Sequence, residues 1–285
     1  AESIRAIHAA LDLGVNFFDT ANVYGAGHSE RVLAQALAGR RAQAVIATKF
    51  NGVFNEETRQ ITGSDTTPDG IRRACDASLR RLNTDYIDLY QFHAGGHPLD
   101  AALEVRETLE ELLSAGKIRS YGWSTDFPDR AEVFAQGPNC TAIQLQLNVL
   151  EDNAPMLTLC EKYNLAAINR GPLAMGLLTG KYTSATRPGP DDVRGVKSPA
   201  WLQYFKDGKP NPDFVEKVQA VREILTQDGR TLSQGALAWL WARSGVTIPI
   251  PGFRTVAQVE ENTRALELGP LPADQFAEVE RIMGR

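Results

Sequence analysis

Four side chains able to handle protons stand in short runs of apolar and β-branched residues. Asp19 and Tyr24 lie in FFDTANVYG, Lys49 sits in AVIATKF, and His93 ends YIDLYQFH. A carboxylate, a phenol, an ammonium and an imidazole in one pocket can protonate a carbonyl oxygen. When hydride arrives at carbon, negative charge grows on oxygen, and a proton or hydrogen-bond donor must meet it in the transition state. A free tyrosine, with a pKa of about 10, is a reluctant acid at neutral pH, and an ammonium beside its oxygen stabilises the phenolate. Lys49 suits that role. Asp19 can supply the counter-charge that a buried lysine needs, and His93 can donate a ring N–H to a substrate oxygen. Taken singly, each has an ordinary explanation: a turn cap, a loop aromatic, a solvated terminus, a core histidine. Their placement on successive strands in the order Asp, Tyr, Lys, His favours the joint, functional reading.

The elements that must position them follow from periodicity. AESIRAIHAALDLG carries apolar residues at Ile4, Ile7, Ala10 and Leu11, a helical stripe closed by Gly14. VNFFD reads as a buried strand, a helix opens at Ser29 and runs through Leu37, and AVIATK is the next strand. Thr67 and Pro68 predict a capped helix start, and that helix delivers YIDLYQFH. Helices over Leu99–Ser114, Asp129–Gln136 and Ala154–Tyr163 separate the strands IRSYGWS, TAIQLQLNV and LAAIN. Thr231 and Gln234 form a capping box for the helix that precedes VTIPI. Strands alternating with helices at this spacing imply a parallel α/β sheet. The expectation is a (β/α)8 TIM barrel, one domain over residues 1–285, with active-site residues at the C-terminal ends of the strands. Seven strands are recognised, one short of closure, so the first strand is expected to be missing from the sequence given.

Two connections break the rhythm. Asn51 to Asp65 is polar and follows the lysine strand, and Leu178 to Pro212 is rich in Pro, Gly and charge around Trp201, Tyr204 and Phe205. Loops this long in a compact domain are usually functional. The aromatic cluster either covers a substrate or pins its own loop.

Composition narrows the classes. A chain of 285 residues with 43% hydrophobic residues can bury a large core. Its net charge of −5 lacks the basic stripe of a nucleic-acid binder. No apolar run reaches a membrane span. Cys75, Cys140 and Cys160 lack metal-ligand spacing, which fits buried thiols in a reducing cytoplasm.

GVNFFDTANVYG, GHSERVLAQAL and ATKF resemble the signature segments of the aldo-keto reductase superfamily, and the likeness extends over nearly the whole chain. The resemblance implies an NADP(H)-dependent oxidoreductase that reduces aldehydes or ketones. Tyr24 is then the general acid, Lys49 its modulator, Asp19 the partner of the lysine, and His93 the substrate-orienting residue. The family binds a nicotinamide cofactor without a G-x-G-x-x-G loop, and none follows a strand here. Ser124 and Thr125 in GWST, with Gln144 in AIQLQLN, match the carboxamide site, Thr125 replacing the usual asparagine. NRGPLAMGLLTGKY resembles the pyrophosphate loop and implicates Gly171, Pro172, Leu173, Ala174, Gly176 and Lys181. Arg170 occupies the place of an aromatic that stacks on the nicotinamide, and a planar guanidinium can stack as well.

IPIPGFRTVAQVEEN resembles the adenosine-phosphate segment. Thr255 and Gln258 predict a capping box that places a helix N-terminus beside Gly252. Arg254 can clamp a phosphate monoester, which favours NADP over NAD, and Gln258, Glu261 and Asn262 are implied on the adenine side.

Two other readings are open to test. An NADP-binding regulatory subunit with little turnover would retain cofactor tightly. A Schiff-base aldolase using Lys49 needs a neutral amine, which a neighbouring Asp19 disfavours. The four histidines, His8, His28, His93 and His97, show no metal-binding pair on one helix.

Overall fold

The apolar runs become short strands because their β-branched and aromatic residues are buried in a pleated sheet. The structure, a computed structural model, describes residues 2–189, 192–196, 198–199 and 201–285. The chain contains β1 (Phe17–Asp19), β2 (Val45–Phe50), β3 (Gly52–Phe54), β4 (Ile61–Ser64), β5 (Ile87–Phe92), β6 (Ile118–Ser124), β7 (Cys140–Gln146), β8 (Ala166–Arg170), β9 (Phe205–Lys206), β10 (Lys209–Pro210) and β11 (Thr247–Pro249). Seven of these form one sheet in the order β1-β2-β5-β6-β7-β8-β11. The pairs β1–β2, β2–β5, β5–β6 and β6–β7 are parallel. Strands in chain order with helical crossovers are the repeating pattern of a (β/α)8 barrel, as the sequence predicted.

The chain divides into two compact units. The first comprises residues 1–145, 153–168 and 252–260. Its core is aromatic, with Phe50, Tyr90, Phe92, Trp123 and Phe134 fully enclosed. Phe92 stacks on Phe50 at 5.4 Å between ring centroids and on Phe134 at 6.1 Å. Where β6 passes β7, a Cβ added at Gly122 would lie 2.3 Å from the carbonyl oxygen of Ala142, so only glycine allows that approach. The helix over Pro68–Leu82 starts as expected, the Thr67 hydroxyl accepting from Gly70 N at 3.1 Å.

Residues 51–65, expected as a polar loop, fold into an antiparallel β3–β4 hairpin. The Asn55 side chain caps its turn by accepting from the amides of Glu57 and Thr58, and Arg59 takes a left-handed conformation there. Glu56 ties the hairpin down to Arg31 at 2.5 Å and Arg81 at 3.5 Å. Arg81 also donates to the buried Glu30 at 2.6 Å, and Glu30 accepts from the Thr48 hydroxyl on β2 at 2.7 Å.

The second unit comprises residues 146–152, 169–251 and 261–285. It is built around helices Pro212–Leu225, Leu232–Arg243 and Ala273–Met283. Thr231 and Gln234 make the expected capping box. Part of the 178–212 connection, at residues 190, 191, 197 and 200, lies outside the described residues. Within the rest, β9 and β10 form a small ladder. Tyr204 and Phe205 are buried, whereas Trp201 is 65% exposed. The Tyr204 hydroxyl donates to Glu151 and accepts from Gln146 at 2.6 Å and Asn148 at 2.7 Å. Tyr204 and Phe205 therefore pin the loop.

Candidate active site

Strand alternation aims successive side chains to opposite faces. On β2, Thr48 turns to Glu30 while Lys49 turns to Asp19 at the end of β1. Lys49 is completely buried, and its ammonium pairs with Asp19 Oδ1 and donates to the carbonyl of Thr20 at 2.9 Å. The second oxygen of Asp19 accepts from Gln144 Nε2 at 2.8 Å and from Gln91 Nε2 at 3.0 Å. Both charges are thus removed from water, paired with each other, and hydrogen-bonded on their remaining polar atoms.

Tyr24 lies in the turn after β1. Its ring centroid is 5.1 Å from the Lys49 ammonium, and its ring meets that of His93 edge-on at 6.3 Å. The four predicted proton-handling residues are thus together in the first unit. Tyr24 is 43% exposed, and its hydroxyl has no hydrogen-bond partner among the described residues, which leaves that oxygen open to a ligand. His93 is held from behind, its amide donating to Phe50 O at 3.0 Å and its carbonyl accepting from Asn51 at 3.4 Å. Trp123 and Thr125 fasten the turn after it by donating to the carbonyls of Ala94 and Gly95.

Ser124 and Gln144 are register partners on β6 and β7, and both are buried. The Gln144 amide group spends its N–H donors on Asp19 and on Gln91 Oε1 at 3.2 Å, leaving its oxygen as the acceptor for a ligand. The Ser124 hydroxyl has no partner among the described residues, whereas that of Thr125 is committed to Gly95 O at 2.9 Å. One free hydroxyl and one free amide oxygen, side by side, fit a carboxamide. The same unit carries Gly252, Arg254 and Gln258. The expected capping box is present, since Gln258 Oε1 accepts from the amides of Arg254 and Thr255 and Thr255 Oγ1 accepts from Gln258 N. Arg254 is exposed, with no ion pair among the described residues.

The second unit carries Arg170, Gly171, Pro172, Leu173, Ala174, Gly176 and Lys181. Gly171, Ala174 and Gly176 adopt positive φ. A Cβ at Gly171 would lie 2.9 Å from the Gln146 amide, and its carbonyl accepts from Asn148 at 3.0 Å. Lys181 is exposed beside the Tyr182 ring. Glu261 accepts from Thr231 Oγ1 at 2.8 Å and from Gln234 at 3.0 Å, and Asn262, next to it, is half-buried.

Sequence reasoning missed Gln91 and the carbonyl of Thr20. Gln91 lies near the end of β5, and nothing local to it signals its partners on other strands. It also pairs in register with Lys49.

An ion-paired lysine beside an open phenol and an imidazole, at the ends of parallel strands, is an arrangement able to protonate a carbonyl oxygen. The sequence profile described as "Aldo/keto reductase family" matches residues 1–283, and the chain belongs to that family. It is 32% identical over 272 residues to the aldo-keto reductase yakc [NADP(+)] of Schizosaccharomyces pombe, covering 92% of this chain and 76% of that protein. It resembles the solved glycerol dehydrogenase of Gluconobacter oxydans at 30% identity and a TM-score of 0.83, covering 99% and 85% of the two chains. An aldo-keto reductase of Klebsiella pneumoniae in complex with NADPH matches at 25% identity and a TM-score of 0.71, covering 99% and 84%. No helix among the described residues is long and apolar enough to cross a membrane.

Proposed function

We propose that this protein reduces an aldehyde or ketone to the alcohol with NADPH, Tyr24 serving as the proton donor. The observation that carries this is the fully buried Lys49 ammonium, neutralised by Asp19 and 5.1 Å from the ring of the exposed Tyr24. NADPH, when bound, supplies the hydride. Two relatives support the choice: the fission-yeast protein carries NADP(+) in its name, and the Klebsiella protein was solved with NADPH. Within the first unit, Arg254 would hold the ribose phosphate, Ser124 and Gln144 the carboxamide, and Gly252 and Gln258 would lie on the adenosine side.

His93 donates a hydrogen bond to the carbonyl oxygen and turns it toward the Tyr24 hydroxyl. As the carbon–oxygen double bond becomes single, the phenol proton passes to the oxygen. The phenolate left behind is stabilised by Lys49, whose charge Asp19 keeps in place. General acid help of this kind is worth about 10²–10⁴-fold.

Purified protein mixed with NADPH and a panel of simple aldehydes and ketones should consume NADPH, and Tyr24→Phe should lower turnover by at least about a hundredfold while still binding NADPH. A Tyr24→Phe variant as active as wild type removes the mechanism. Tight retention of NADP with negligible turnover of every carbonyl would instead favour a regulatory subunit.

A further inference from the structure

Asp19 pairs with Lys49 through one of its two oxygens. In this chain its other oxygen is just as fully used. Gln91 is completely buried in the middle of the sheet, an expensive place for a primary amide unless every polar atom finds a partner. It finds them in two directions. Its Nε2 donates to Asp19 Oδ2 at 3.0 Å, and its Oε1 accepts from Gln144 Nε2 at 3.2 Å. Gln144 in turn donates to the same Asp19 oxygen at 2.8 Å. The three groups close a ring of hydrogen bonds: Gln91 to Asp19, Gln144 to Asp19, and Gln144 to Gln91.

We propose that Gln91 is a positioning residue for the carbonyl reduction, holding the Asp19 carboxylate turned toward Lys49 and the Gln144 amide turned toward the nicotinamide. The inference rests on the function proposed above. The ring fixes two choices at once. A carboxylate rotates freely about its Cβ–Cγ bond, and two amide donors on Oδ2 leave Oδ1 as the oxygen for the ammonium. An amide can flip, and the acceptor offered by Gln91 fixes which end of Gln144 remains free. The same two donors also spread the negative charge of Asp19, so that the ammonium keeps more of its positive field at Tyr24. Gln91 touches neither substrate nor hydride donor in this arrangement, and its influence passes through its two neighbours.

The test uses the NADPH-bound enzyme and an aldehyde that wild type reduces. Gln91→Leu keeps the volume and removes both polar atoms. Its kcat should fall about tenfold or more, the loss of one hydrogen bond to a charged group, with KM for the aldehyde within about twofold. The alkaline limb of its pH–rate profile should move to higher pH. Gln91→Glu is nearly isosteric and gives a sharper signature. Burial beside Asp19 favours the neutral acid, which can donate O–H to Asp19 as the amide did. Activity of Gln91→Glu should therefore rise on acidification and fall as a second carboxylate forms, relative to wild type at each pH. Quenching of tryptophan fluorescence by NADPH reports that each variant is folded. A Gln91→Leu variant with wild-type kcat and pH profile overturns the proposal. So does a Gln91→Glu variant whose loss is the same at every pH, which is what a mere packing role gives. A wild type that reduces no carbonyl overturns both this proposal and the function beneath it, and is seen before any variant is compared.

Discussion

Replacing Asp19 by Asn should destabilise the protein, and removing Asp19 and Lys49 together should cost clearly less than the sum of the two single changes. Asp19 and Lys49 side chains are 8% and 1% exposed, so neither charge is hydrated when its partner is lost. In Asp19→Asn the shape is kept, but one oxygen becomes an NH2 group that faces donors: the ammonium on one side or the two amides on the other. Leaving one charge of a buried pair uncompensated costs about 3–5 kcal/mol. The Thr20 carbonyl still accepts from Lys49 at 2.9 Å, which places the expectation at the lower end, about 3 kcal/mol. For a chain of this size that corresponds to a fall in Tm of roughly 6 °C or more. Asp19→Asn/Lys49→Met strands no charge, and it should recover about 2 kcal/mol relative to the sum of the two single changes. Unfolding in urea, followed by circular dichroism on the four cofactor-free proteins, measures the cycle. Single changes that add to give the double, or an Asp19→Asn midpoint equal to wild type, would refute the claim that burial makes these charges interdependent.

Other outcomes follow from the same structure. Arg254→Ala should weaken NADPH binding about tenfold to a hundredfold and leave NADH binding nearly unchanged, as cofactor titrations would reveal, because the loss is that of a charge-assisted contact to one phosphate. Tyr204→Phe should cost about 2 kcal/mol by leaving Glu151 and two amides without their shared partner, read as a lower thermal midpoint. Burial pushes the thiols of Cys75, Cys140 and Cys160 up to about 12, from 9.0. Their contribution to stability is complete below pH 9 and is lost as pH rises toward 12, because the unfolded chain sheds those protons first, at about 1.4 kcal/mol per pH unit for each thiol. Denaturant unfolding between pH 8 and pH 11 should show this decline, flattened when the cysteines are replaced by alanine, and native protein should resist iodoacetamide at pH 8.

The alternation of strands and helices was legible because burial on both faces leaves long apolar runs such as AVIATKF and YIDLYQF, and capping chemistry at Thr67 and Thr231 is local. The proton-handling residues were legible because each stands at or just beyond a strand end. Gln91 was not, since a glutamine within a strand announces itself only through partners 72 and 53 residues away. The β3–β4 hairpin hid for a related reason. Its strands are only three and four residues long and mostly exposed, and what ties its turn down is the contact of Glu56 with Arg31 and Arg81, far off in sequence. The sense of Gln144 was also out of reach, because which end of an amide is spent depends on neighbours that only the fold supplies.

The neighbouring residues Thr48 and Lys49 hold opposite sides of one strand, the hydroxyl toward Glu30 and the ammonium toward Asp19. Sliding β2 by a single position would exchange those sides. The cation would then be driven against the guanidinium that Glu30 already serves, and Asp19 would be left facing an apolar or hydroxyl group. Misthreading of this strand is thus punished by electrostatics as well as by packing, so the charged groups of the proposed site also proofread the assembly of the sheet.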